Sequence, residues 1–475
     1  MVTMKTRLEF DSIGCLKVPK DAYYGVQTLR AKQNFAITGR NLHPAFIISL
    51  AQIKKAAAIT NRNAGQLNFT TANAIISACD ELIAGHFHDA FLVDPIQGGA
   101  GTSANMNANE VIANRAIELL GGVKGDYSIV HPNDHVNMAQ STNDVFPTAG
   151  KLTALALLPR VTSQLARLVH TLDRKAAEFD NIVKMGRTQL QDAVPIRLGQ
   201  EFSAYSSMIQ RDIVRLNKVK NELRTINMGA TAIGTAVNVS PAYLSNITEN
   251  LQKTCGEKLV QADNLIDATQ NLDGFVSVSG VLKTCAVDLS KMSNDLRLLS
   301  SGPRTGIMEI NLPAMQNGSS IMPGKVNPVI PEVVSQVAFH IIGHDCTITM
   351  AAEAGQMELN AFEPVLFYDL FESIDSLAGA VETLVDNCVT GITANKEICQ
   401  KHLNESVGIV TALCPIIGYA KSAELAKLSL KTGTPVTKLA VDLKLLTAEK
   451  LKNILDPYRM TVPAYAEDAL EASIS

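Results

Sequence analysis

Residues 147–179 read PTAGKLTALALLPRVTSQLARLVHTLDRKAAEF. Leu158, Val161, Leu165, Leu168 and Leu172 are spaced three and four apart, and Phe179 follows seven residues later. That spacing puts one apolar stripe on one face of a helix. Pro159 stands near its start, where a kink is expected. A second stripe runs through Phe202, Tyr205, Ile209, Ile213, Leu216, Val219 and Leu223. A third lies between Gly274 and Leu299, a fourth between Val329 and Ala352, and a fifth from Val365 to Cys388. Each is longer than the mean helix of about 11–12 residues. Core packing explains every stripe, and none calls for a cofactor. Stripes of this length bury against other helices in bundles. The expected fold is mainly α, with a long central five-helix bundle. Stripes that one chain cannot cover predict self-association.

On either side the pattern changes. The spacing predicts helices over 45–64 and 71–84, with an irregular segment from Val18 to Thr28. After Gly391 the pattern shortens, and Thr393 or Asn395 is placed to cap a new helix. The expected domains are 1–143 (mixed, mainly helical), 144–396 (the long-helix bundle) and 397–475 (small and helical). A chain of 475 residues accommodates about three domains.

With 46% hydrophobic and 19% charged residues, the chain reads as globular. Forty-two basic against 46 acidic residues leave a net charge of −4, which gives no electrostatic case for nucleic acid. The eight cysteines form no Cys-x-x-Cys pair, so neither a zinc cage nor a disulfide framework is expected, and a reducing cytoplasm is. Met1 to Asp11 carries no apolar signal core. No run of 18 apolar residues predicts a membrane span.

Chemistry is expected where the helical pattern fails. Gly318-Ser319-Ser320-Ile321-Met322-Pro323-Gly324-Lys325-Val326-Asn327-Pro328 mixes hydroxyls, glycines, prolines, a lysine and a carboxamide. Regular elements reject that mixture, and it suits a loop that presents groups to an anion. Three more polar interruptions occur. Gly98 to Asn109 carries Thr102, Ser103, Asn105, Asn107 and Asn109. His131 to Asp144 includes Ser141, Thr142 and Asn143. Gly186 to Pro195 includes Thr188 and Gln189. Caps and turns alone can explain one such loop, but four in a helical chain point to a carboxylate ligand, because these groups donate hydrogen bonds without adding negative charge. The Gly318–Lys325 stretch is not a P-loop: five residues separate its glycines, and valine follows the lysine. His86 and His88 lack a third partner for a metal.

Together these segments resemble the aspartase/fumarase superfamily, whose signature is Gly-Ser-Ser-x-Met-Pro-x-Lys-x-Asn-Pro. The resemblance runs from Val18 to Lys396, through 98–109, 131–148, 186–201 and 229–238. Gln189, Thr142 and the segments Gly229–Thr235 and Ala351–Gln356 are similar to the aspartase side. Fumarases usually have His at the place of Gln189, paired with a glutamate matching Glu332. The resemblance implies a homotetramer with a twenty-helix core and active sites shared between subunits. The implied reaction converts L-aspartate to fumarate and ammonia through an aci-carboxylate, with water elimination from malate (class II fumarase) or a non-catalytic lyase fold as alternatives. It makes Ser319 the base that removes the Cβ proton. Thr102, Ser141, Thr142 and Ser320 would hold the β-carboxylate, and Thr188, Lys325 and Asn327 the α-carboxylate. Asn143 and Gln189 would take the amino group. Gln189 cannot shuttle protons at neutral pH, which suits an amine leaving group. The scheme requires no metal or organic cofactor, although divalent metals activate some members.

Overall fold

The structure, a computed structural model, describes residues 5–456 and 460–462. Residues 1–4, which open the segment read as lacking a signal core, and most of 457–475, in the expected C-terminal domain, lie outside the described residues. Strands β1 (Thr6–Asp11) and β2 (Gly14–Pro19) pair antiparallel. The helices α1 (Val26–Asn34), α2 (Pro44–Asn63), α3 (Phe69–Ile83) and α4 (Thr102–Leu119) follow. The opening stripe is α5 (Thr142–Glu178), 37 residues long and continuous through Pro147 and Pro159. Next come the antiparallel hairpin β3 (Val183–Thr188) and β4 (Gln191–Arg197), then α6 (Leu198–Val219). The short parallel strands β5 (Thr225–Ile226) and β6 (Val260–Gln261) bracket α7 (Pro241–Cys255). One-turn α8 (Asp267–Gln270) precedes α9 (Asp273–Leu299), β7 (Ile310–Asn311), α10 (Val329–Glu353) and α11 (Glu363–Asn387). β8 (Thr393–Ala394) pairs with β7, and α12 (Lys396–Glu405) begins after Asn395. The five stripes are thus α5, α6, α9, α10 and α11, and the chain is mainly helical.

The chain forms two compact units that do not follow chain order. One comprises 1–163, 214–286 and 337–379, and the other 164–213, 287–336 and 380–475. All five long helices contribute to both. In the first unit the core closes around aromatic rings. Phe146 of α5 lies 5.1 Å from Phe46 of α2 and 5.2 Å from Phe367 of α11, which meets Phe275 of α9 at 4.9 Å. Offset and edge contacts at these spacings add to the burial of large apolar surfaces. Gly150 makes the approach possible, because a Cβ there would stand 2.2 Å from the Phe367 ring.

In the second unit Phe179 meets Phe202 at 5.2 Å, and the Tyr205 hydroxyl donates to Asp295 Oδ2 at 3.0 Å. Near the C-terminus, Ile409, Leu413, Leu425, Val436, Leu439 and Ala440 make a separate small core. It draws on the 3-10 helix Val407–Leu413 and on the short helices α13 (Cys414–Ile417), α14 (Tyr419–Thr432), α15 (Val436–Asp442) and α16 (Ala448–Ile454). Asn395 stands at the cap position of α12, but its side chain does not cap that helix; it donates to the Met308 carbonyl and pairs with Asn311.

One polar loop expected from the sequence is absent. Thr102 to Asn109 is the first half of α4. Asparagine is a poor helix former, but here its side chains are paired in the tertiary structure. Asn105 donates to Thr142 Oγ1 (3.1 Å), Asn107 to the Ala90 carbonyl (3.0 Å) and Asn109 to Asn137 Oδ1 (3.2 Å). These tertiary bonds of the amide NH2 groups outweigh a small local preference, although among the described residues the buried Oδ1 atoms of Asn105 and Asn109 accept none. The Gly186–Pro195 interruption is likewise a hairpin, with Gln189 and Leu190 at its apex in left-handed conformations (φ 54° and 62°).

Candidate active site

The Ser141–Asp144 turn starts α5 in the first unit. Ser141 Oγ accepts from the Asn143 N–H (3.2 Å), and Asp144 Oδ1 accepts from the Ser141 N–H (2.9 Å). Both bonds use the short polar side chains favoured at helix starts. Behind the turn lies a buried polar layer. Lys54 of α2 donates to Asn137 Oδ1 (2.8 Å) and Gln140 Oε1 (3.0 Å). Burial pushes Lys54 down to about 7, opposed by Asp144 and Cys79. Burial pushes Asp144 up to about 6, opposed by the N–H groups of Ser141, Thr231 and Gly229 and by Lys54. Thr142 is buried against Asn105, and Asn143 is half-buried, its amide donating to the Ala232 carbonyl at 2.7 Å. Thr102 is exposed at the first turn of α4, three residues before Asn105, with its hydroxyl on the Gly99 carbonyl (2.7 Å).

In the second unit, Thr188 and Gln189 sit exposed at the tip of the β3–β4 hairpin. The hairpin is pinned at its base by Glu309, which is fully buried. Glu309 takes Arg187 Nη1 at 2.8 Å, Lys184 Nζ at 2.9 Å and His402 Nδ1 at 3.1 Å. Burial works to raise this carboxyl, but Lys184, Arg187 and His402 together hold it below its usual value. Gln189 lines a cleft of roughly 420 Å³ with Lys184, Arg187, Glu201 and Tyr205.

The Gly318–Pro328 loop closes on itself. The Gly318 N–H donates to the Lys325 carbonyl (2.9 Å), and Asn327 Nδ2 donates to the Gly318 carbonyl (2.7 Å). Only glycine fits at 318, because a Cβ would stand 2.3 Å from the Lys325 carbonyl oxygen. Inside the loop, Ser319 Oγ accepts the N–H groups of Met322 (3.1 Å) and Ile321 (3.3 Å). Hydrogen bonds of this kind favour the deprotonated form of the group that accepts them. Ser320 and Lys325 are exposed. Lys325, Asn327 and Glu332 line a cleft of roughly 520 Å³ with Asn311 and Arg297.

The structure therefore groups Ser141, Thr142 and Asn143 on one turn with Thr102 on the neighbouring α4, and Ser319, Ser320, Lys325 and Asn327 on one loop. Among the described residues no hydrogen bond joins the Thr188–Gln189 hairpin tip to that loop. One N–H of Asn327, expected for a carboxylate, is committed to closing the loop. Sequence reasoning missed Lys54 and Glu309. Lys54 carried a signal: it falls three or four residues from Leu50, Ala51, Ala57 and Ala58 on the buried face of α2. Glu309 lies in an aperiodic segment and carried none. His88 Nε2 bonds the Leu82 carbonyl (2.9 Å). Among the described residues no group of three His, Cys, Asp or Glu side chains could hold a metal ion, and no helix is long and apolar enough to cross a membrane.

Comparison with known proteins identifies the family. Residues 14–343 match a family model described as lyase, and residues 409–462 one described as fumarase C C-terminus. An aspartate ammonia-lyase of Bacillus sp is 53% identical, covering 97% of this chain and 98% of its own. That of Escherichia coli (strain K12) is 47% identical, covering 97% of each. Among solved structures, a fumarate lyase:delta crystallin from Brucella melitensis bound to cobalt superposes with a TM-score of 0.94 at 51% identity, covering 97% of this chain and 100% of its own. A class II fumarase from Schistosoma mansoni gives 0.93 at 36% identity, with 97% and 100% covered. The chain belongs to the aspartate ammonia-lyase family within the aspartase/fumarase superfamily.

Proposed function

We propose that this chain catalyses the reversible deamination of L-aspartate to fumarate and ammonia. The observation that carries the reading is the full-length similarity to aspartate ammonia-lyases. A carboxamide at 189, which cannot relay a proton to a departing hydroxide, agrees with it. The hard step is removal of a weakly acidic proton beside a carboxylate, which needs a base and donors aimed at the growing charge. Ser319 is the proposed base. The two N–H groups on its Oγ, with Lys325 nearby in the loop, favour its ionised form. Thr102, Ser141, Thr142 and Ser320 hold the β-carboxylate as it becomes the aci-carboxylate. Thr188, Lys325 and Asn327 hold the α-carboxylate, and Asn143 and Gln189 the amino group. Side chains carry every step, so the proposal includes no metal or organic cofactor.

The proposal extends to a cytoplasmic homotetramer with sites shared between subunits. Its support is an exposed apolar stripe on α10, where Phe339, Ile342, Cys346 and Met350 recur every three or four residues. Sedimentation of a monomer would contradict the assembly. For the reaction, purified protein is given L-aspartate or L-malate and fumarate absorbance is followed. Release from aspartate is expected, and faster release from malate would overturn the reading in favour of a fumarase.

A further inference from the structure

The segment 227–232 fixes which way the Asn143 carboxamide faces. A carbonyl only accepts hydrogen bonds, so the group 2.7 Å from the Ala232 oxygen must be the Asn143 NH2. Asn143 Oδ1 is thereby turned away from Ala232, and among the described residues no donor reaches it. Asn227, itself buried, donates to the Asn143 carbonyl (3.0 Å) and to Thr269 Oγ1 (3.1 Å). The tie between turn and segment is Asp144, which is fully buried. Its Oδ1 takes the Ser141 N–H, and its Oδ2 takes the Gly229 and Thr231 N–H groups, both at 3.1 Å. Thr231 is held at φ 56°, a conformation a β-branched residue adopts only under constraint.

The direction matters chemically. A substrate ammonium is a donor only, whereas a hydroxyl both donates and accepts. A carboxamide presenting oxygen matches an ammonium; one presenting NH2 opposes it and still serves a hydroxyl. We propose that Asp144 is a positioning residue that, through 227–232, aims Asn143 Oδ1 at the substrate amine and so lets the site accept an ammonium, which an inward NH2 would oppose. The inference rests on reading Asn143 as the amino-group partner.

Asp144→Asn tests it. The new amide cannot accept on both sides, so its NH2 confronts either the Ser141 N–H or the Gly229 and Thr231 N–H groups. The measurements are KM and kcat for L-aspartate and the inhibition constant of succinate, which has both carboxylates and no amine. The expected result is an aspartate KM raised about tenfold or more, with succinate inhibition unchanged. Asn227→Ala, which frees the Asn143 carbonyl, should show the same split more weakly and replaces Asp144→Asn if that variant lacks a native melt. An unchanged aspartate KM, or equal shifts for aspartate and succinate, overturns the positioning role while wild-type turnover stands. A wild type inert towards aspartate removes the underlying reading and this inference with it.

Discussion

The Ser141–Asp144 turn and the Gly318–Pro328 loop carry the same kinds of side chain but are built in opposite ways. The turn rests on buried Asp144, Lys54 and Asn105, and its bonds reach residues as far along the chain as Gly229 and Thr231. The loop is held by bonds among its own residues, and Ser320 to Val326 are exposed. Elements with few buried contacts open at low free energy, whereas buried networks open close to the global limit. The proposed division of labour follows: a fixed receptor recognises the substrate, and a loop with glycines at 318 and 324 brings the base and closes.

Substitutions can break or sharpen this contrast. Ser319→Ala should lower kcat by about a thousandfold, as loss of a general base does, with an unchanged thermal melt. A melt shifted as far as that of a turn variant would erase the contrast. Lys325→Ala should raise the aspartate KM by roughly ten- to a hundredfold, the loss of a charge-assisted contact, again without a stability change. An unchanged KM would contradict its carboxylate role. Lys54→Met should behave in the reverse manner. It leaves Gln140 Oε1 without its buried donor, while Asn137 Oδ1 keeps those of Asn105 and Asn109, and should reduce unfolding free energy by about 1–3 kcal/mol, read by denaturant melts.

A further effect is in pH. Burial lowers folded-state Lys54 from 10.5 to about 7. Between those values the folded state binds fewer protons than the unfolded state, so this residue makes stability rise with pH across that window. Below about pH 7 its full penalty applies. The wild type should therefore gain more stability than Lys54→Met between about pH 7 and 9. Equal slopes in paired melts would place Lys54 in a wetter setting than the structure does.

The legibility of the two regions in the sequence differed as well. The five long helices were readable because burial on one face leaves a 3.6-residue period in Leu158–Leu172 and its counterparts. The signature loop was readable because its glycines and prolines break regular elements. The asparagines of α4 were not, because a polar run looks the same on a loop as on a helix whose partners are distant; Asn105 and Thr142 are 37 residues apart. Asp144 and Gly229, 85 apart, pose the same problem. Thr188 and Gln189 were identified as chemical residues, but the hairpin that presents them depends on Glu309, which no local pattern announces.

The most direct test of the central claim is amide hydrogen exchange on the Ser319→Ala protein, in which ligand is not consumed. Peptides covering 137–147 and 314–330 are followed alone, with L-aspartate and with L-malate. The account predicts slow exchange in 137–147 under all three conditions. It predicts fast exchange in 314–330 that L-aspartate slows and that L-malate, with both carboxylates but no amine, slows less. Equal rates in the two peptides without ligand, or equal protection by the two acids, would contradict it.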